Sequence, residues 1–376
     1  MIYIFVLILI FIGIYKYDLT NRLFSSSKKN TLYYTIAFIL FFIAAFRYYN
    51  GGDTENYAEH FLQIPSWGEL SEHHFDDFRY QKGYIYFVSF IKGVWDNFLI
   101  QQILTALIVN AVVFRFIKRH SPFVFLTTLM YFILNYFEFN MEIMRECISV
   151  AFGLLAYECL KSRRYVLMAI LIYIAYQFHV SALILLLMPL FSVVKFSKRS
   201  FFIVLVVAIS FPALYIAIPN LELYANLLFN QEDWVNDAYL NQEYSDTLST
   251  NYYVTHILKF LFIPFVILWY VNKKVKFEFT GLVYAYALLQ LLSMFSYAFY
   301  RFANYFAPFY WIAISYAIYL LISKQRELRT IILSFILMLM IYLHQNVQFS
   351  WDSNNNQYYY NRYIPYESVF FNEGYK

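Results

Sequence analysis

The sequence predicts an all-α, polytopic membrane protein of about twelve transmembrane helices, within a range of about 11 to 14. Three observations carry this reading. Hydrophobic residues make up 61% of the 376 residues and charged residues only 14%, where a soluble domain runs near about 45–50% and about 25%. The apolar residues fall into separate stretches close to spanning length. Most of the 28 Lys and Arg residues fall in every second connection between those stretches. A soluble enzyme, a disordered chain and a disulfide scaffold are excluded by this composition. The two cysteines, Cys147 and Cys159, share one apolar stretch and suggest neither a zinc site nor a disulfide. The whole chain, 1–376, reads as a single integral membrane domain.

A hydrocarbon core about 30 Å thick needs roughly 20 mostly apolar residues per helix. Candidate spans lie near 1–15, 31–46, 98–117, 122–137, 146–160, 165–178, 180–194, 201–218, 255–271, 281–299, 303–322 and 330–344. The first, MIYIFVLILIFIGIY, has no basic leader and no small-residue cleavage site, and reads as a retained span. Orientation follows from Lys and Arg in short connections. They gather as Lys16, Arg22, Lys28 and Lys29; Arg115, Lys118 and Arg119; Lys161, Arg163 and Arg164; Lys195, Lys198 and Arg199; Lys273, Lys274 and Lys276; and Lys324, Arg326 and Arg329. That side is predicted to be cytoplasmic, which leaves both termini extracytoplasmic.

One further apolar segment, GYIYFVSFIKGVW at 83–95, is short and carries Lys92. If it crossed, Lys118 and Arg119 would lie outside, so a re-entrant or interfacial helix on the outer face is expected. The outer segments are 47–97, 219–254 and the tail 345–376. The second holds six acidic residues and no Lys or Arg. The tail, with WDSNNNQYYYNRYIPY, is either disordered or a sugar-facing surface, since rings stack on pyranose faces and amides bond hydroxyls.

The cytoplasmic connections carry no Gly-rich phosphate loop, so any chemistry belongs at the outer face. The net charge of +4 serves to anchor those connections, and nucleic acid is not an expected partner. Arg47, Arg145 and Arg301 stand instead at outer helix ends, where the positive-inside rule disfavours them. Ionisable groups at membrane depth default to a functional reading, and the guanidinium fork suits phosphate oxygens. Three converging arginines would hold a lipid-linked pyrophosphate; the alternative is that each pairs with a carboxylate such as Glu142 or Glu146, or snorkels to headgroups.

His179, in YQFHVSALILLL, sits in a polar turn closed by Ser181 and is either a packing residue or a base or phosphate contact. Asp53, in NGGDTENY, either caps a helix beginning near Thr54 or offers a carboxylate to a sugar hydroxyl. Glu142 and Arg145, three apart, are expected on one helix face, with Glu142 the rival base or an orienting group. The acidic and histidine residues of EHHFDD lack a diagnostic metal spacing, and no metal or other cofactor is expected.

These residues resemble those of the EpsG-like, Wzy-type polysaccharide polymerases of O-antigen and exopolysaccharide assembly. FRYYNGGDTENY is similar to the first outer loop of that family. FNMEIMRECISVAFGLLAY, FHVSALILLL, YRFANYF and the tail element YNRYIPYESVF follow in the family's order along nearly the whole chain. The resemblance implies a GT-C-like glycosyltransferase in the bacterial cytoplasmic (inner) membrane with its site facing the periplasm or exterior. It would join oligosaccharide repeat units carried on undecaprenyl diphosphate, in contact with membrane lipid, and a chain-length regulator is a candidate partner. It carries a catalytic role to Asp53 and His179, pyrophosphate binding to Arg47, Arg145 and Arg301, and substrate contacts to Tyr57 and Tyr305. An O-antigen ligase, or a flippase or transporter for lipid-linked sugars, remains the alternative on the residues themselves.

Overall fold

The computed structural model describes residues 2–19, 26–70, 78, 80–217, 250–294, 297–322, 349–352, 357–361, 363 and 366–371. The expected span at 330–344, the acidic part of the segment 219–254 up to residue 249, and EHHFDD lie outside them. The chain divides into two compact units, one made of Met1–His179 with Ile318–Lys376 and the other of Val180–Ala317.

The first unit is helical. It comprises α1 (Ile2–Gly13), α2 (Ser26–Ala45), α3 (Thr54–Gln63), α4 (Lys82–Val94), α5 (Phe98–His120), α6 (Val124–Tyr131), α7 (Phe137–Met141), α8 (Met144–Lys161) and α9 (Tyr165–Phe178). Its tail adds β1 (Phe349–Asp352) paired antiparallel with β2 (Gln357–Asn361), Phe349 opposite Asn361. The second unit comprises a 3₁₀ segment, Val180–Leu187, then α10 (Met188–Ser192), α11 (Lys198–Ala217), α12 (Thr250–Ile257), α13 (Ile263–Lys274), α14 (Thr280–Leu292), α15 (Tyr297–Asn304) and most of α16 (Ala307–Ile322).

The helical class is as predicted, but twelve full spans are not seen among the described residues. Phe98–His120 and Val254–Lys274 are each long and apolar enough to cross a membrane. The pair α15 and α16, bent by 67°, makes a third if it counts as one span. Several other expected spans are shorter apolar helices, such as Tyr165–Phe178 and Thr280–Leu292. The segment at 83–95 forms most of helix α4, and Lys92 has a local job. Lys92 Nζ donates to the carbonyls of Phe61, Leu62 and Ile64 at 2.9–3.1 Å, which satisfies the orphan carbonyls at the end of α3. Gly83 lets α4 approach α9, because a side chain there would meet Gln177.

Polar contacts sort the first unit into two ends. At one end Arg115 and Arg119 bridge Glu158 at 3.2 and 2.7 Å, Lys118 Nζ donates to Tyr34 Oη, and Asp18 accepts from the Phe125 and Leu126 amides opening α6. These are groups of the predicted basic side. At the opposite end of α2 and α5, Gln102 Nε2 donates to the carbonyls of Ala45 and Arg47, both at 2.9 Å. Asn97 caps that end of α5 by accepting from the Leu99 amide at 2.8 Å. Buried hydroxyls tie the helices between: Tyr33 to the Phe114 carbonyl and Tyr136 to the Leu40 carbonyl, both at 2.6 Å. A tyrosine hydroxyl in an apolar interior requires such a partner.

Candidate active site at the Arg47 end of the first unit

The loop after α2 is built from strained backbone. Tyr49 has φ 43° and Gly51 φ 98°, a region open to glycine but costly for other residues. Any side chain on Gly51 would also collide with the Met141 carbonyl. Thr54 locks the loop against α7, its Oγ1 donating to the Asn50 carbonyl at 2.8 Å and to the Met141 carbonyl at 3.0 Å. Arg47 is 1% exposed, and its Nη1 donates to the Ala44 carbonyl at 2.6 Å.

The C-terminal segment docks on this loop. The main chain of Arg47 pairs antiparallel with that of Ser368. The Tyr48 amide donates to the Glu367 carbonyl at 2.9 Å and the Val369 amide to the Phe46 carbonyl at 3.1 Å. The Glu367 amide donates to Asn50 Oδ1 at 3.0 Å, and Tyr366 Oη to the Ile43 carbonyl at 3.1 Å. Tyr3 Oη reaches the Tyr363 carbonyl at 2.9 Å, so both ends of the described chain meet here. Burial pushes the Tyr366 phenol up to about 12, so at neutral pH it is a hydrogen-bond donor.

Asp53 stands at the N-cap position of α3, as the sequence predicts, yet its side chain makes no capping bond. Among the described residues its carboxylate, half-buried, engages no donor. Tyr57, 8% exposed, lies four residues on and therefore on the same helix face. Its ring is 6.3 Å from that of Tyr80.

Glu142 and Arg145 do not share a helix face; this expectation is corrected. Helix α7 ends at Met141, Glu142 leaves the helical region with φ −120°, and α8 starts at Met144. The break turns the two side chains to separate tasks. Glu142 Oε1 accepts from the Gly52 amide at 3.3 Å, beside Asp53. Arg145 Nη1 donates to Gln81 Oε1 at 2.8 Å, and its guanidinium carbon lies 4.4 Å from the Tyr80 ring centre. Arg145 Nε is buried with no hydrogen-bond partner among the described residues. The alternative of a paired carboxylate therefore does not hold for Arg145 among those residues. Among the described residues its side chain meets the Gln81 amide and the Tyr80 ring.

His179 ends α9 in extended backbone, φ −153° and ψ 129°, and is 8% exposed. Its Nε2 lies 4.0 Å from Glu146 Oε2. Glu146 is 1% exposed, a carboxylate on α8 turned into the bundle. Reading the sequence weighed it only as a counter-ion for arginine. The signal that points further is its place as an acid just inside the start of a mostly apolar helix, beside Arg145. Tyr80 and Gln81 carry no local signal in the sequence; the tail element YNRYIPYESVF does, but its pairing with the Arg47 loop joins residues too far apart along the chain to be read from it.

The second unit holds Arg301 and Tyr305. Arg301 lies over the Tyr297 ring at 5.2 Å in α15. Tyr305, 2% exposed, sits in the break between α15 and α16, where its hydroxyl and Ser181 Oγ are 3.1 Å apart. Two motifs predicted from separate parts of the sequence thus meet within that unit. Arg47, Asp53, Tyr57, Glu142, Arg145 and His179 all belong to the first unit.

No group of three or more His, Cys, Asp or Glu residues among the described residues is arranged to hold a metal ion. The family model for the EpsG family matches residues 30–368. No curated protein and no solved structure matches the chain.

Proposed function

Since the chain belongs to the EpsG family, membrane proteins of the polysaccharide-polymerase type, we propose that it joins undecaprenyl-diphosphate-linked oligosaccharide repeat units by glycosyl transfer. The reaction takes place at the outer face of a bacterial cytoplasmic membrane. A hydroxyl of the incoming repeat unit attacks the anomeric carbon of the growing chain. The new glycosidic C–O bond forms as the bond to the lipid diphosphate breaks, which inverts that centre. Asp53 takes the hydroxyl proton, and the diphosphate departs as an anion.

The observation that carries this reading is the pairing of roles in one loop region. Asp53, whose carboxylate engages no donor among the described residues, stands one helical turn from Tyr57, whose neighbour Tyr80 lies under Arg145. A half-buried cation whose Nε has no partner among the described residues is suited to charge developing on a leaving diphosphate. Arg47, in the same unit, supplies further positive charge. Glu142, holding the Gly52 amide, acts as an orienting group for the loop and not as the base. The outward orientation follows from the opposite end, where Arg115, Lys118 and Arg119 gather.

The test is an assay with purified protein and lipid-linked repeat units. Product ladders support polymerisation. A single transfer to a lipid core would mean a ligase, and movement between leaflets without bond formation a flippase. Because cationic side chains serve the leaving group, ladders persist in EDTA; complete loss that returns with a divalent metal contradicts this part of the reading.

A further inference from the structure

The groove between α2 and α5, at the end of the first unit away from Asp53, has a shape and charge the reaction does not use. Its volume is about 690 Å³. Ala37, Phe38 and Phe41 of α2 form one wall, and Leu107, Ala111 and Phe114 of α5 the other. Its mouth carries Tyr34, Arg115, Lys118 and Arg119. Lys118 Nζ sits 4.2 Å from the Tyr34 ring centre and donates to its hydroxyl at 2.7 Å, so the ammonium is held at the rim. Arg115 and Arg119 share a single carboxylate, Glu158. Three cations against one anion leave the mouth positive.

The groove's length decides what fits it. From Lys118 to Leu107 along α5, at 1.5 Å per residue, is about 16 Å. Half of a hydrocarbon core about 30 Å thick is about 15 Å. An apolar channel of one leaflet's depth with a cationic rim has the dimensions of one phospholipid. We propose that this groove binds an anionic phospholipid of the surrounding leaflet, its phosphate on Lys118 and Arg119 and one acyl chain between the alanines and phenylalanines. Ala37 and Ala111 provide the width; larger side chains there would close it.

Native mass spectrometry of the full-length protein, released from nanodiscs of phosphatidylcholine with or without phosphatidylglycerol, tests this. Phosphatidylglycerol is expected to be retained on the wild type in preference to phosphatidylcholine. Lys118→Gln lowers that retention about fivefold, the effect of one cation near the membrane surface, and Lys118→Arg preserves it. Ala111→Phe, which leaves every charge in place, also lowers it. Equal retention of the two lipids, or unchanged phosphatidylglycerol retention in Ala111→Phe, overturns the proposal. An adventitious additive only, with detergent alone in the groove, does so too.

Discussion

Arg47 and Ser368 are paired main chain to main chain, so the arginine that ends α2 is held in place by the far end of the chain. Flanking bonds from Tyr48 to Glu367 and from Val369 to Phe46 make this a short antiparallel strap. Its position over the loop that carries Asp53 makes the strap part of the candidate site.

Val369→Pro removes the amide that bonds the Phe46 carbonyl. Losing that hydrogen bond costs about 0.5–1.5 kcal/mol, local to the loop. Long-chain product is expected to fall about tenfold while membrane insertion and expression stay normal. Wild-type ladders from this variant would show that the strap is decoration.

Asp53→Ala and Asp53→Asn separate catalysis from capping. The carboxylate makes no capping bond, so thermal stability should change by less than about 0.5 kcal/mol. Turnover should fall by about 10²–10⁴-fold, the usual contribution of a positioned base. If stability falls and turnover does not, Asp53 is a structural residue and the base lies at His179.

Arg145→Ala should remove polymer while the protein remains folded in the membrane, with a loss of about 10²–10³-fold for one donor to a developing anion. Arg145→Lys keeps the charge but loses the fork and the stacking on Tyr80, and should recover only a fraction. Chain-length ladders on gels read both. Full activity of Arg145→Lys would reduce the role of the guanidinium to simple charge.

Asp18 supplies a pH dependence at the other end of the unit. Burial pushes its carboxyl up to about 7, against the pull of the Leu126 amide, Lys29 and the Phe125 amide. An unfolded aspartate titrates near about 3.9. With the folded value raised, its contribution to stability is whole below about pH 4 and lost as pH rises through about 7. Asp18→Asn keeps an acceptor for the two amides of α6 and should flatten melting temperature between those limits. Asp18→Ala strands both amides and should destabilise at every pH by about 1–3 kcal/mol.

Much of this molecule was legible residue by residue. The apolar composition and the alternation of basic clusters predict helices with two chemically distinct ends, and Lys118, Arg119 and Glu158 do gather away from Arg47 and Gln102. Asp53 was placed before a helix because two glycines and a threonine are local signals. The break at Glu142 was not legible, since a spacing of three is only meaningful if the helix continues. The count of spans was also beyond it, because length and hydropathy do not register where a helix ends early or bends, as between Asn304 and Ala307.

The sequence by itself determined what kind of solvent this chain is built for, which of its ends carries the anchoring charge, and which family's motifs it strings together. Those are properties of composition and order. Only the tertiary structure decided that Glu146 faces His179, that Arg145 rests on Tyr80 and Gln81, and that residues 366–371 close over Arg47. Each of these joins residues from different elements, and such contacts are set by how helices pack and where their backbones break, which no local pattern of side chains records.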